Sequence, residues 1–284
     1  MKINTVGVVG CGAMGAGIAQ VSAQAGYHVV VSEINDALLK RGLGIIENIL
    51  AKDVGKQKIT QADKDAVQAR IKGTTEMKDF AVCDIIVEAV IENMSLKRDV
   101  FGKLDKICPP HTILASNTSC LSILDVSTAT ARPDKVLGIH FFNPVPVMKL
   151  VELVKTLTTG DETFAAGKVF AESLGKTAVI SKDAPGFVVN RLLVPQLLSA
   201  VRMLEQGVAS KEDIDAGMRL GLNHPIGPFA LIDLVGIDVI CFIARSVYEE
   251  TKDAQFIIPN QMNKMLAAGW LGRKTGKGFY EYNK

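Results

Sequence analysis

Apolar residues along the first two thirds of the chain fall into short runs separated by amphipathic stretches of helix length. Residues 6–9 hold Val6, Val8 and Val9 and read as a short buried strand, and residues 13–25 read as a helix that stops at Gly26. Residues 28–32 are a second strand-like run. Asn35 is placed to cap a helix running to about residue 53, and residues 63–71 read as another helix. Residues 73–75 suit a short strand. Residues 84–87 suit a better one, continuous and β-branched as strands buried on both faces are. A helix over 95–107 ends at Pro109-Pro110, and strands follow at 112–115, 135–140 and 148–154. A helix over 161–174 and a strand over 177–180 complete the alternation. Strands alternating with helices predict an α/β fold with a doubly wound, mostly parallel sheet, in which the helices at 35–53 and 63–71 are an added pair.

Lys182-Asp183-Ala184-Pro185-Gly186 breaks this pattern and sets the expected domain boundary, giving domains 1–183 and 184–284. The second domain shows no strands and is expected to be all helical. Helices are predicted over 187–205, 211–220 and 228–248, with Pro195 kinking the first and freeing the carbonyl of Arg191. Apolar residues such as Leu192, Leu193, Leu234 and Val239 exceed what one small core needs. Some face is therefore expected to bury against the first domain or a second subunit, as in a homodimer.

The first strand and helix enclose Gly10, Gly12 and Gly15 at G-x-G-x-x-G spacing. In that setting the spacing is a dinucleotide fingerprint and the sheet is of the Rossmann type. Gly10 makes the tight turn, Gly12 admits the pyrophosphate, and Gly15 lets helix and strand pack closely. Ala13 and Met14 open the helix whose N-terminal N–H groups face the phosphates. Glu33, about twenty residues on and at the end of the second strand, is where a ribose-binding carboxylate belongs.

Composition narrows the class without changing the fold. The chain has 284 residues, 48% hydrophobic and 22% charged, with a formal net charge of +2. That balance gives no case for nucleic acid or a membrane surface as partner. Five scattered cysteines without C-x-x-C, and four histidines without a ligand cluster, argue against disulfides and metal and suit a reducing cytoplasm.

A nicotinamide cofactor implies hydride transfer, for which the protein must supply a proton carrier. Histidine suits that role near neutral pH. His28 starts a strand, His111 follows the proline pair, and His224 lies in a turn before Pro225. His140 ends a strand on the ligand side of the sheet and is the best candidate. Glu152 lies on the strand that returns from the His140 loop. If those strands are neighbours, its carboxylate reaches the far ring nitrogen. Ser119, in the polar loop Ser116-Asn117-Thr118-Ser119-Cys120, and Asn190, near the domain junction, suit hydrogen bonds to a substrate oxygen or helix capping equally well. Lys52 and Lys56, at the tip of the helical pair, read as a solvated face or as a site for an anionic group.

The chain resembles the L-3-hydroxyacyl-CoA dehydrogenase family over essentially its whole length. The likeness rests on the glycine loop, EAVIEN at 88–93, SNTSC at 116–120, GIHFFNPVPVMKLVEL at 138–153, KDAPGFVVNRLL at 182–193, HPIGPF at 224–229 and RKTGKGFYEY at 273–282. The resemblance implies an NAD-dependent oxidoreductase of fatty acid and butanoate metabolism. It would interconvert (3S)-3-hydroxyacyl-CoA and 3-oxoacyl-CoA, with the four-carbon pair expected. By that resemblance His140 is the general acid/base and Glu152 orients it. Ser119 and Asn190 hold the substrate's C3 oxygen and the surroundings of the histidine. Asn143, Glu92, Lys97 and Lys274 match cofactor contacts, the nicotinamide end lies near Asn117 and Asn143, and Lys52 and Lys56 match the region that meets the CoA phosphates. Glu33 stands where most of the family has Asp, which favours NAD and leaves NADP open, and Cys120 replaces a serine. A dehydrogenase of free hydroxy acids, or a dinucleotide-binding protein without catalysis, are the alternatives.

Overall fold

Four of the five residues of β1 (Thr5–Val9) are buried, because other strands flank it on both sides and helices cover both faces. The structure is a computed structural model that describes residues 2–282. One unit of the chain ends at Ala184 and the next begins at Pro185. In the first unit β2 (His28–Ser32), β3 (Ile71–Thr74), β4 (Ile85–Glu88), β5 (Ile113–Ser116), β6 (Val136–Phe141), β7 (Leu150–Lys155) and β8 (Thr177–Lys182) join β1 in one sheet of order β3-β2-β1-β4-β5-β6-β7-β8. Strands β1 to β6 run parallel. β7 turns antiparallel to β6, and β8 runs parallel to β7.

The helices are α1 (Ala13–Gln24), α2 (Asp36–Gly55), α3 (Gln61–Ala69), α4 (Met94–Ile107), α5 (Ile123–Ser127) and α6 (Asp161–Ser173). Their starts are encoded locally. The Asn35 side chain accepts from Leu38 N, Asn93 accepts from Leu96 N, and Thr60 and Asp63 cap α3 reciprocally. Val6, Val8, Val31, Ile85, Val87, Leu137 and Ile139 have no exposed surface and pack with Ile18 and Ala19 of α1 and with Phe170 of α6. Each such aliphatic side chain contributes about 1.5–3 kcal/mol on burial.

Register brings the strand ends level. Val9 stands beside Ser32 and Glu88, Glu88 beside Ser116, and Ser116 beside Gly138. The loops leaving β1, β2, β4, β5 and β6 therefore share one edge. The strand order reverses direction at β1, between β2 and β4, which is where an open α/β sheet leaves a crevice for a ligand.

The second unit holds α7 (Val189–Glu205), α8 (Lys211–Gly221), α9 (Pro228–Val235), α10 (Ile237–Thr251) and α11 (Asn260–Ala267). Two expectations need correction here. The helix read over 228–248 is two helices, because Gly236 sits at φ +109, a left-handed conformation that interrupts the apolar pattern without altering it. The helix read over 63–71 stops at Ala69, because Ile71 begins β3. The short α5 and α11 escaped notice, and α7 runs continuously through Pro195.

Two buried carboxylates organise this unit. Asp215 accepts from Phe229 N at 2.7 Å and Ala230 N at 3.1 Å, capping α9. Asp233, 1% exposed, accepts from Phe279 N at 2.9 Å, Tyr280 N at 2.8 Å and the Tyr282 hydroxyl at 3.0 Å. A Cβ on Gly278 would lie 2.0 Å from Asp233 Oδ1, so the glycine of GKGFY is required for close approach. Replacing Asp233 by Ala leaves the buried N–H of Phe279 and the partly buried N–H of Tyr280 without their acceptor. The variant should lose about 2–4 kcal/mol of stability in urea unfolding, and an unchanged midpoint would contradict this account.

Candidate functional site

The glycine loop opens the site. Gly10 adopts φ +94, and a Cβ on Gly15 would lie 1.8 Å from Gly10 O, so α1 can pack this tightly on β1 only without a side chain there. A Cβ on Gly12 would meet nothing within 4 Å. That position faces open space at the start of α1, and Gly12 brings no side-chain cap to the N–H groups of Ala13 and Met14. A free helix N-terminus beneath an open glycine suits a pyrophosphate, so the residues present fit a dinucleotide.

Glu33, half-buried just past β2, folds back over this loop. Its Oε1 accepts from Cys11 N at 2.8 Å and its Oε2 from Ile34 N at 3.1 Å. These bonds fix the carboxylate beside the glycine loop. Burial, with the Glu33 charge adding to it, pushes the Cys11 thiol up to about 12. Cys11 therefore brings no negative charge to the phosphate loop at neutral pH.

His140 and Glu152 meet because β6 and β7 are antiparallel and in register, residue opposite residue. His140 Nδ1 and Glu152 Oε2 are 2.7 Å apart, and both residues are buried. The Phe142 ring lies 4.6 Å from the imidazole, centroid to centroid. Asn117 Oδ1 accepts from Phe141 N at 2.9 Å and so ties the loop after β5 to the end of β6, beside the histidine.

Between the glycine loop and the histidine lies a buried polar network. Glu88 ends β4 with no exposed surface. Its Oε1 accepts from Val90 N at 2.7 Å and Lys97 Nζ at 2.8 Å, and its Oε2 accepts from the Ser116 hydroxyl at 2.7 Å. Lys97 Nζ also lies 3.3 Å from Glu92 Oε2. Glu92 Oε1 accepts from Ser119 N at 2.6 Å and Thr118 Oγ1 at 3.2 Å. Lys97, read as a cofactor contact, is thus 1% exposed and enclosed by two carboxylates, whereas the Glu92 side chain is 28% exposed.

Asn143 is exposed in the loop between β6 and β7. That loop is held by Lys176, whose buried ammonium donates to Val145 O at 2.6 Å and Met148 O at 2.8 Å. Burial lowers the pKa of this lysine. Neither Glu88 nor Lys176 stood out as a site residue in the sequence. Glu88 carried a signal, an acid closing a wholly apolar strand; Lys176, in a Gly-Lys-Thr turn, carried none. Lys52 and Lys56 are exposed at the C-terminal end of α2, one turn apart.

In the second unit, Asn190 lies in the first turn of α7 and is buried. Lys274 pairs with Asp238, at 2.6 Å from its Oδ1 and 2.7 Å from its Oδ2. Among the described residues no group of three or more His, Cys, Asp or Glu is placed to hold a metal, and no helix is long and apolar enough to cross a membrane.

Known proteins match the chain along its length. Residues 5–184 match the family described as 3-hydroxyacyl-CoA dehydrogenase, NAD binding domain, and residues 186–282 match its C-terminal domain. A probable 3-hydroxybutyryl-CoA dehydrogenase of Bacillus subtilis is 44% identical, covering 100% of this chain and 99% of the relative. The mitochondrial hydroxyacyl-coenzyme A dehydrogenase of Rattus norvegicus is 46% identical, covering 99% of this chain and 91% of the rat protein. The crystal structure of (S)-3-hydroxybutyryl-CoA dehydrogenase PaaH1 from Ralstonia eutropha superposes with a TM-score of 0.96 at 46% identity and full coverage of both chains. With its glycine loop, its paired His140 and Glu152 and both domains matched, the chain belongs to the 3-hydroxyacyl-CoA dehydrogenase family of NAD-binding oxidoreductases.

Proposed function

We propose that this protein interconverts (3S)-3-hydroxybutyryl-CoA and acetoacetyl-CoA, with NAD as cofactor. The observation that carries the reading is the His140–Glu152 pair at the carboxyl edge of an NAD-binding sheet. The names of the bacterial relatives support the four-carbon substrate. Glu33 supports NAD over NADP, since its fixed carboxylate repels a 2′-phosphate.

Bound nicotinamide supplies the acceptor or donor of hydride at C3. His140 moves the proton. In oxidation, neutral His140 takes the C3 hydroxyl proton at Nε2; in reduction, the imidazolium returns it to the forming alkoxide. Glu152 holds Nδ1–H, sets the tautomer and stabilises the charged ring in both directions. Ser119 is assigned to the C3 oxygen of the substrate. Asn190 has the same assignment from the family resemblance. Glu92, Asn117, Asn143 and Lys274 are assigned to the cofactor, and Lys97 to the support of Glu92. Lys52 and Lys56 are assigned to the CoA phosphates as exposed, mobile point charges.

We further infer a homodimer formed through the second unit. Leu234, Val235, Val239 and Phe242 leave apolar surface exposed along α9 and α10, beside the ion pair of Asp238 with Lys274. A reducing, cytoplasmic setting suits five buried cysteine thiols.

Three outcomes are expected. His140→Gln should lower kcat for acetoacetyl-CoA reduction by about 10²–10⁴-fold with NADH affinity preserved, and near wild-type turnover would refute the mechanism. Lys52→Ala with Lys56→Ala should raise the KM for acetoacetyl-CoA about three- to tenfold at low salt, with little effect on a short pantetheine thioester. Equal effects on both thioesters would remove the phosphate assignment. Sedimentation should give a particle of two chains, reduced to one by Val239→Glu with Phe242→Glu.

A further inference from the structure

The reading above places Glu92 on the cofactor, and the inference here rests on that assignment. It concerns Glu88, which no part of the proposed mechanism uses. Glu88 lies at the end of β4, in register with Val9 and Ser116, the last residues of the two strands that lead into the glycine loop and the Asn117–Ser119 loop. A carboxylate with no exposed surface at the carboxyl edge of a sheet requires full pairing. Its partners are internal: Val90 N and Lys97 Nζ on one oxygen, the Ser116 hydroxyl on the other. Its geometry gives it no surface with which to touch a ligand.

Lys97 is the link. Its ammonium lies between Glu88 Oε1 at 2.8 Å and Glu92 Oε2 at 3.3 Å, closer to the buried acid than to the partly exposed one. Glu92 in turn accepts from Ser119 N at 2.6 Å. Two carboxylates thus share one ammonium, and only Glu92 reaches the surface of the site. Glu88 keeps the ammonium deep. Glu92 is then held from behind by Lys97 and from the side by the Ser119 N–H, in one orientation.

We propose that Glu88 is a positioning residue for NAD: it anchors Lys97 so that Glu92 is presented to the cofactor in a fixed orientation. Removing the Glu88 charge leaves Lys97 with Glu92 as its one carboxylate partner in this network. The pair then closes up, which draws Glu92 off Ser119 N and away from the ligand side. A buried ammonium makes this shift strongly directed, because the attraction acts in a medium of low dielectric.

The test measures NADH binding by its fluorescence, with thermal unfolding recorded for each protein. Glu92→Gln serves as reference. Glu88→Gln, which keeps the shape and removes the charge, should raise the NADH Kd about tenfold, close to the change in Glu92→Gln. Glu88→Asp, which keeps the charge and draws it back from Lys97, should raise it about threefold, and it answers the question if Glu88→Gln does not fold, a Kd within twofold of wild type then overturning the proposal. A lowered Tm with NADH Kd within twofold of wild type in Glu88→Gln, while Glu92→Gln binds weakly, would overturn the proposal and leave Glu88 a structural residue. An unchanged Kd in Glu92→Gln would instead overturn the assignment of Glu92, and the positioning role with it.

Discussion

The pairing of β6 with β7 is the constraint on which the candidate site depends. Side chains along a strand alternate with a period of two, so a slip of one residue in this antiparallel ladder would set His140 against Val151 or Leu153 and turn Glu152 to the other face. The register is guarded by what surrounds it. Phe141 and Val151 are buried on one side of the pair, Ile139 and Leu153 on the other, and Asn117 accepts the Phe141 N–H from the neighbouring loop. Apolar side chains packed on the face behind the pair thus hold one hydrogen bond of 2.7 Å in place. The rest of the site follows from the same sheet, since parallel strands with level ends place five loops along one edge.

Much of this was legible in the chain, and the reasons are local. The glycine loop needs backbone conformations and close approaches that few sequences satisfy, and it sits between a strand and a helix whose signals are strong. The buried strands read clearly because burial on both faces requires uninterrupted β-branched runs, as in Ile85-Ile86-Val87. His140 and Glu152 could be named from their strands, but only the fold decides that those strands are neighbours. What escaped was set by tertiary contacts. Gly236 breaks a helix without breaking its apolar pattern. Lys176 looks like any surface lysine, and only the loop folded over it, with the carbonyls of Val145 and Met148, gives its ammonium a task.

Charge is distributed in two ways. Around the glycine loop the protein offers dipoles and keeps ionised groups few: Cys11 stays a neutral thiol, and Glu33 is bound by backbone N–H groups. Next to it, along β4 and α4, a buried carboxylate and a buried ammonium are packed out of water, with the partly exposed Glu92 beside them. Such a cluster adds little net stability compared with apolar residues of the same size, but its hydrogen-bond directions allow few alternatives. Loops that must receive a charged, extended ligand gain their definition from this neighbour.

The bonds from Phe279 and Tyr280 to Asp233 span 46 and 47 residues of chain. A ribosome releases the Asp233 side chain long before it makes the groups that satisfy it. For that interval α9 carries a carboxylate without its partners, facing the space that the glycine-rich segment at 276–280 will fill. The second unit therefore closes late in synthesis. A nascent chain halted short of that segment would lack the strap that satisfies Asp233.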